Sequence, residues 1–204
     1  MKKLVQSLTF QLKTSILILG LAVFIQGIFA EEYKYEDSWS KAGYTLNTQT
    51  RSNVVVNYSI QSFSINDMLI NGESMVDVQL PGQLLFNDEG APNLPGSGRY
   101  IAVPQGATAS VKIVNYRVES FQNVNVMPAP RIPWANEDQP LEYNKNLSIY
   151  TKDEFYPNEP VKISAPDQIR GVDVVMLGIT PFQYNPVTKE LLVYRDIEVE
   201  ITFE

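Results

Sequence analysis

A chain of 204 residues without one histidine or cysteine has few ways to build a catalytic centre. Ser–His and Cys–His nucleophilic machinery, and the usual zinc sites, each need one of those residues, so none can be assembled within this chain. Carboxylates remain as candidates for acid–base work, and they come as adjacent pairs: Glu36–Asp37, Asp88–Glu89, Glu137–Asp138 and Asp153–Glu154. Neighbouring side chains on a strand leave on opposite faces, so an adjacent pair rarely converges on one substrate. These pairs sit in loop-like sequence and read as solvated loops. None has the alternating oxygen-ligand spacing of an EF-hand loop, and no metal or cofactor is expected. Gly90-Ala91-Pro92-Asn93-Leu94-Pro95 followed by Gly96-Ser97-Gly98 lacks the Gly-Lys-Ser/Thr ending of a phosphate loop and reads as a rigid turn.

Binding is better served than catalysis. Met127-Pro128-Ala129-Pro130-Arg131-Ile132-Pro133-Trp134 carries three prolines. They hold the backbone extended and lower the entropy lost on docking. Such a segment can lie in a protease cleft as a substrate does, pairing through its backbone. Arg131 would then offer a guanidinium to a carboxylate-lined pocket. The competing reading is a solvent-exposed connection with a surface arginine. Eleven Tyr, nine Phe and two Trp also leave room for sugar stacking, although core and cross-strand packing is the commoner use of such rings.

The elements that must position this segment read as strands. Val54, Val56, Tyr58 and Ile60 alternate with mostly polar neighbours, and Phe63 and Ile65 continue on the opposite parity, which predicts a bulge near Gln61–Ser62. Val76, Val78 and Leu80 alternate. Val111 and Ile113 precede Asn115, after which Tyr116 and Val118 shift parity. Residues 172–179 form a near-continuous apolar run, as expected of a central strand. Two aromatic-rich runs flank the polar turn 185–190, predicting a hairpin. Ile197, Val199, Ile201 and Phe203 alternate with Glu198, Glu200 and Thr202, a last strand with one wet face. No window shows sustained helical periodicity. Thirteen prolines punctuate strand ends. The expectation is an all-β, antiparallel, jelly-roll-like sandwich forming a single domain over residues 51–204.

The N-terminus reads differently. Lys2, Lys3 and Lys13 precede an uncharged, apolar stretch that ends at Ala30, so residues 1–30 are expected to be a signal peptide. As an uncleaved anchor the stretch is marginal in length, and no stable membrane insertion is expected. Residues 31–50 are polar and read as a loosely tethered arm, pinned by Trp39 and Tyr44. The net charge of −7 becomes more negative once the leader lysines are removed. So acidic a chain repels phosphate backbones, which argues against a nucleic-acid partner. Export would permit disulfides, yet this fold must stand on its core alone.

Three motifs, in this order and spacing, resemble the propeptides of gingipain-type (C25) cysteine proteases. They are Gly90–Pro95 with the following Arg99-Tyr100-Ile101-Ala102-Val103-Pro104, then Asp153-Glu154-Phe155-Tyr156-Pro157, then residues 181–201. The resemblance covers roughly residues 50 to 204. It implies a non-enzymatic propeptide that assists folding of a cognate gingipain-like catalytic domain, in cis or in trans. It further implies steric block of that domain's active site until proteolysis removes the propeptide. Such propeptides present a basic side chain from a loop in this region. Counting back from Phe155–Pro157, the corresponding position falls near Trp134 or Ala135, and Arg131 reaches it only if the loop differs in length. Arg131, Ile132, Trp134 and Ala135 are therefore the candidate inhibitory residues, and three readings stay open: Arg131 fills the pocket, Trp134 fills an apolar pocket in a protease of different specificity, or the loop does not enter the cleft. The implied location is the periplasm, then the exterior or the cell surface. The alternative reading is an exported adhesion or carbohydrate-binding module.

Overall fold

The last strand is the axis of the molecule. The computed structural model describes residues 30–82, 87–134, 136 and 138–204. Along these residues lie β1 (Ala30–Lys34), β2 (Gly43–Gln49), β3 (Asn53–Ser59), β4 (Ser62–Ile70), β5 (Glu73–Gln79), β6 (Ser97–Ala102) and β7 (Ala109–Phe121). A single-turn helix, α1 (Leu147–Tyr150), separates them from β8 (Val161–Ile163), β9 (Asp167–Ile169), β10 (Val172–Ile179), β11 (Phe182–Asn185) and β12 (Glu190–Phe203). Sheets of order β1-β4-β5, β6-β10-β8 and β11-β12-β3-β2 result, with β9 beside β10 and β7 beside β12. The chain forms the expected antiparallel β-sandwich, and the hairpin around Asn185 is β11–β12. The expected leader lies, except for Ala30, outside the described residues. Among those described, no helix is long and apolar enough to cross a membrane.

One edge of β12 is covered along its length by β7. The other edge is divided: β11 pairs with Glu190–Val193 and β3 with Asp196–Thr202. Between these halves the β7–β12 register shifts, so that Arg195 is the extra residue between Tyr194↔Val118 and Asp196↔Arg117. Val193 faces Glu119 and Ile197 faces Tyr116. Those partners are three apart on a regular stretch of β7, so Val193 and Ile197 point to opposite faces of the sheet. Both are nevertheless fully buried. The sheet therefore changes its core-facing side at the bulge. On one side Phe182 and Phe121 meet Phe63 of β4, at ring separations of 5.6 and 5.8 Å. On the other, Tyr58 lies opposite Ile197 and against Tyr44, whose hydroxyl donates to the carbonyls of Ser97 on β6 (2.7 Å) and Leu177 on β10 (3.2 Å). A second register shift leaves Val114 unpaired between Ile113 and Asn115, where the sequence parity changes.

The bulge at Arg195 buries a carboxylate. Asp196 is fully buried. It accepts from Ser59 Oγ (2.6 Å), the Trp39 backbone N–H (2.8 Å) and Arg117 Nε (2.7 Å). Arg117 also reaches Asp37 at 2.8 Å, Arg195 reaches the same carboxylate at 2.8 Å, and Arg195 meets Glu119 at 3.2 Å. The Arg117 and Arg195 guanidinium groups stack over the rings of Trp39 and Tyr35.

Two sequence expectations differ from this arrangement. Residues 31–50 are woven in rather than loosely tethered, since β1 pairs with β4 and β2 with β3. Their polar character reflects exposed edge strands and the ion-pair network around Asp196. At Gln61 there is no bulge within one strand: β3 ends at Ser59, and the chain crosses to another sheet at Ser62. The parity change marks that crossing.

Asp196→Ala should lower unfolding free energy by about 3 kcal/mol, because it strands the donors that converge on that carboxylate. Leu69→Ala, at a side chain 75% exposed, should change it by less than about 0.5 kcal/mol. Urea denaturation checks both. Burial raises the Tyr44 phenol from 10.0 to about 12, against the opposing pull of its Ser97 bond and nearby Arg99. The fold holds that phenol neutral, so its contribution is complete below about pH 10 and is lost as pH rises towards 12. Loss of β-sheet circular dichroism should accompany tyrosinate absorbance in that window.

Candidate functional site

The proline-rich segment is anchored before it becomes a loop. The Val76 N–H donates to Asn125 O (2.8 Å) and the Met127 N–H to Val76 O (2.9 Å), tying the segment to β5. The Asn93 N–H donates to Met127 O (2.9 Å), the Ala129 N–H to Ala91 O (2.7 Å) and the Gly90 N–H to Ala129 O (3.0 Å). The chain then leaves, returns, and donates from the Asn146 N–H to Gly90 O (2.8 Å). Gly90 thus holds the outgoing stem with its N–H and the returning stem with its carbonyl. It needs to be glycine, for φ is +77° and a Cβ would lie 2.7 Å from Asn144 O.

The stems are joined higher up. The Arg131 N–H donates to Glu142 O at 2.9 Å, an isolated antiparallel bridge that marks the loop's base. Tyr143 packs on Ile70, Met75 and Met127. Its carbonyl accepts from Asn71 Nδ2 at 2.9 Å. Glu73 on β5 accepts from Lys145 Nζ (2.7 Å) on one stem and from Asn125 Nδ2 (3.0 Å) on the other. Those bonds, Lys145 first, hold the Glu73 carboxyl below its ordinary value. The pair is solvent-exposed, so it steers the stem more than it stabilises the fold.

Exposure changes sharply along the segment. Met127 and Ala129 are buried, Arg131 is partly buried at the base, and Ile132 and Trp134 stand 59% and 74% exposed. Of the four candidate residues, Arg131, Ile132 and Trp134 lie in one run that starts at the base, with Pro133 partly buried between the two exposed side chains. Ala135 lies outside the described residues. The arrangement can present an extended, apolar, proline-flanked segment to a groove. Gly90–Pro95, read from the sequence as a rigid turn, is also the clamp for this loop. Hydrogen bonds from that turn to positions about 40 and 55 residues downstream leave no local signature, so Glu142, Tyr143 and Lys145 were missed as stem residues.

Two of the paired carboxylates have structural uses. Asp37 serves the Asp196 network, and Asp153 accepts from Asn185 Nδ2 at 2.8 Å. That bond, with the paired backbones of Tyr156 and Tyr184, sews the Asp153–Pro157 motif to β11. Among the described residues, no group of three or more acidic side chains is placed to hold a metal ion. The Tyr33 and Tyr35 rings each stack on Phe63 as packing.

Comparison with known proteins gives this geometry a context. The Propeptide_C25 family model matches residues 43–204, and the chain belongs to that family. It is similar to Lys-gingipain HG66 of Porphyromonas gingivalis, 23% identical over 195 residues, which are 93% of this chain and 11% of that protein. It is similar also to gingipain R1 of the same organism, 31% identical over 120 residues, 57% of this chain and 12% of that protein. The chain thus spans about a tenth of the length of these relatives. Two solved structures share the fold. One is a complex of the pro- and mature domains of P. gingivalis RgpB (TM-score 0.73, 23% identity, 79% of this chain and 85% of that chain). The other concerns the zymogenic latency of P. gingivalis gingipain K (TM-score 0.70, 22% identity, 86% of this chain and 99% of that chain).

Gly90→Ala should lower unfolding free energy by about 2–3 kcal/mol, combining left-handed strain with a backbone clash. It should also raise amide exchange at residue 90 and at Asn146, whose N–H groups make the two bonds between Gly90 and the stems, which exchange mass spectrometry would resolve. Unchanged exchange at both would show that Gly90 does not hold the stems.

Proposed function

We propose that this C25 propeptide is the prodomain of an exported, gingipain-like cysteine endopeptidase, and that it silences the enzyme by laying the 131–134 segment in the active-site cleft. The observation that carries this reading is the clamped loop: a proline-rich segment, rigid at both stems through Gly90, with its apolar side chains turned to solvent. Rigid presentation lowers the ordering entropy that a flexible peptide loses in a cleft. A sandwich of this size can supply the roughly 1,600 Å² of total buried surface typical of a specific complex. The chain contributes no cysteine or histidine to the chemistry, so the reacting groups belong to the partner.

The same body serves as a template on which the catalytic domain folds. The partner is the cognate catalytic domain, in cis or in trans. The leader directs the pair to the periplasm, and from there to the exterior or the cell surface. The likeness to pro- and mature-domain structures supports a protease partner, and the clamped loop supports the cleft as the point of contact.

Titrating the purified chain against the C25 catalytic domain encoded in the same or the neighbouring gene tests this. The expected result is stoichiometric, sub-micromolar inhibition, with a higher yield of active enzyme when the catalytic domain is refolded beside the chain. A folded chain that neither inhibits nor binds would overturn the reading in favour of an exported binding module.

A further inference from the structure

The relatives include proteases named for lysine, yet beyond Arg131 at its base the loop of this chain carries no basic residue. Between the Arg131–Glu142 bridge that closes the base, residues 132–141 read Ile-Pro-Trp-Ala-Asn-Glu-Asp-Gln-Pro-Leu and contain no lysine or arginine. Arg131 itself sits at the base, its backbone N–H held by Glu142 O at 2.9 Å. Trp134, three residues further out, is 74% exposed and follows a proline. Trp134 and Ile132, two apart on a proline-held segment, both expose apolar surface beyond the anchored stems, and contiguous exposed apolar surface marks contact sites. Tryptophan is also the residue type most enriched among side chains that dominate binding energy.

Charge points the same way. A pocket that selects lysine or arginine carries a carboxylate, whereas one that selects aromatic side chains is an apolar slot. The tip sequence, residues 132–141, includes Glu137 and Asp138 and no lysine or arginine. Against an acidic pocket those charges would repel and weaken docking. An apolar pocket brings no such repulsion. Pro133 fixes its own φ and keeps Ile132 extended, so Ile132-Pro133-Trp134 meets the cleft in the backbone form of a bound substrate.

Resting on the inhibitory reading above, we propose that Trp134 is the specificity-determining contact, and that the partner protease takes large aromatic side chains in its primary pocket rather than lysine or arginine. The enzyme cleaves after aromatic residues, and the propeptide carries a proline-aromatic mimic of that substrate.

Two measurements on the same pair of proteins test this. The catalytic domain is assayed on peptides of the form Ala-Ala-Pro-X that differ only at X, with Trp, Tyr, Phe, Arg or Lys. In parallel, inhibition constants are measured for the full chain and for Trp134→Ala, Trp134→Phe and Arg131→Ala, each checked for an unchanged melting temperature. The expected result is cleavage preferring Trp, Tyr and Phe. The inhibition constant should rise on the order of 100-fold for Trp134→Ala, and change little for Trp134→Phe and Arg131→Ala. Preference for Arg or Lys, or inhibition that falls with Arg131→Ala and not with Trp134→Ala, would overturn the proposal while leaving the inhibitory role intact. A chain that fails to inhibit at all would overturn that role and this proposal together.

Discussion

The burial of Asp196 at the Arg195 bulge is the constraint on which the rest of the structure depends. A two-layer fold usually keeps one face of a sheet in the core. Here β12 must bury Leu191 and Val193 on one face, and Ile197, Val199 and Ile201 on the other. One extra residue achieves the exchange, but it interrupts the ladder and turns Asp196 into the protein interior. Ser59, Trp39 and Arg117 then satisfy the carboxylate. Removing a buried charge's partners costs more than the pair contributes, so segments distant in sequence are bound to this point. The N-terminal strands are held through Trp39 and Asp37, and β7 through Arg117.

That constraint reaches the candidate site through packing. The β1-β4-β5 sheet is seated on the first half of β12 by Phe63, Phe121 and Phe182. Val76 on β5 pairs with the outgoing stem of the loop, and Glu73 on the same strand holds the returning one. The Gly90 turn locks the stems to each other. The stems are therefore held by their surroundings, and the prolines act mainly on the exposed part beyond them. A docking segment needs that division between a fixed base and an exposed, apolar tip.

Much of this was legible in the residues. The alternation of Val54, Val56 and Tyr58, the apolar run at 172–179, and the hairpin around Asn185 all became the strands expected of them. The parity change after Ile113 corresponds to the unpaired Val114. The Arg195 bulge was hidden because Leu191, Val193, Ile197, Val199 and Ile201 share one parity, so the face exchange leaves the pattern unbroken. Asp196 looked like another exposed acid, since the donors that bury it lie 79 to 157 residues away. The polar run 31–50 concealed two edge strands, whose outward faces need not be apolar. At the loop, composition pointed to Arg131; the backbone bridge to Glu142 places that residue at the base, and Trp134 is the most exposed of the described candidates.

The central claim is that a propeptide body holds the 131–134 segment in the cleft of its protease. Hydrogen–deuterium exchange on the chain, alone and in complex with the C25 catalytic domain, tests it most directly. The account requires new protection at Ile132 and Trp134 on binding, with the amides of Ala129 and Asn146 already slow in the free chain. A complex that forms with these loop amides exchanging as fast as before, and with protection confined to another face such as β7, would contradict it.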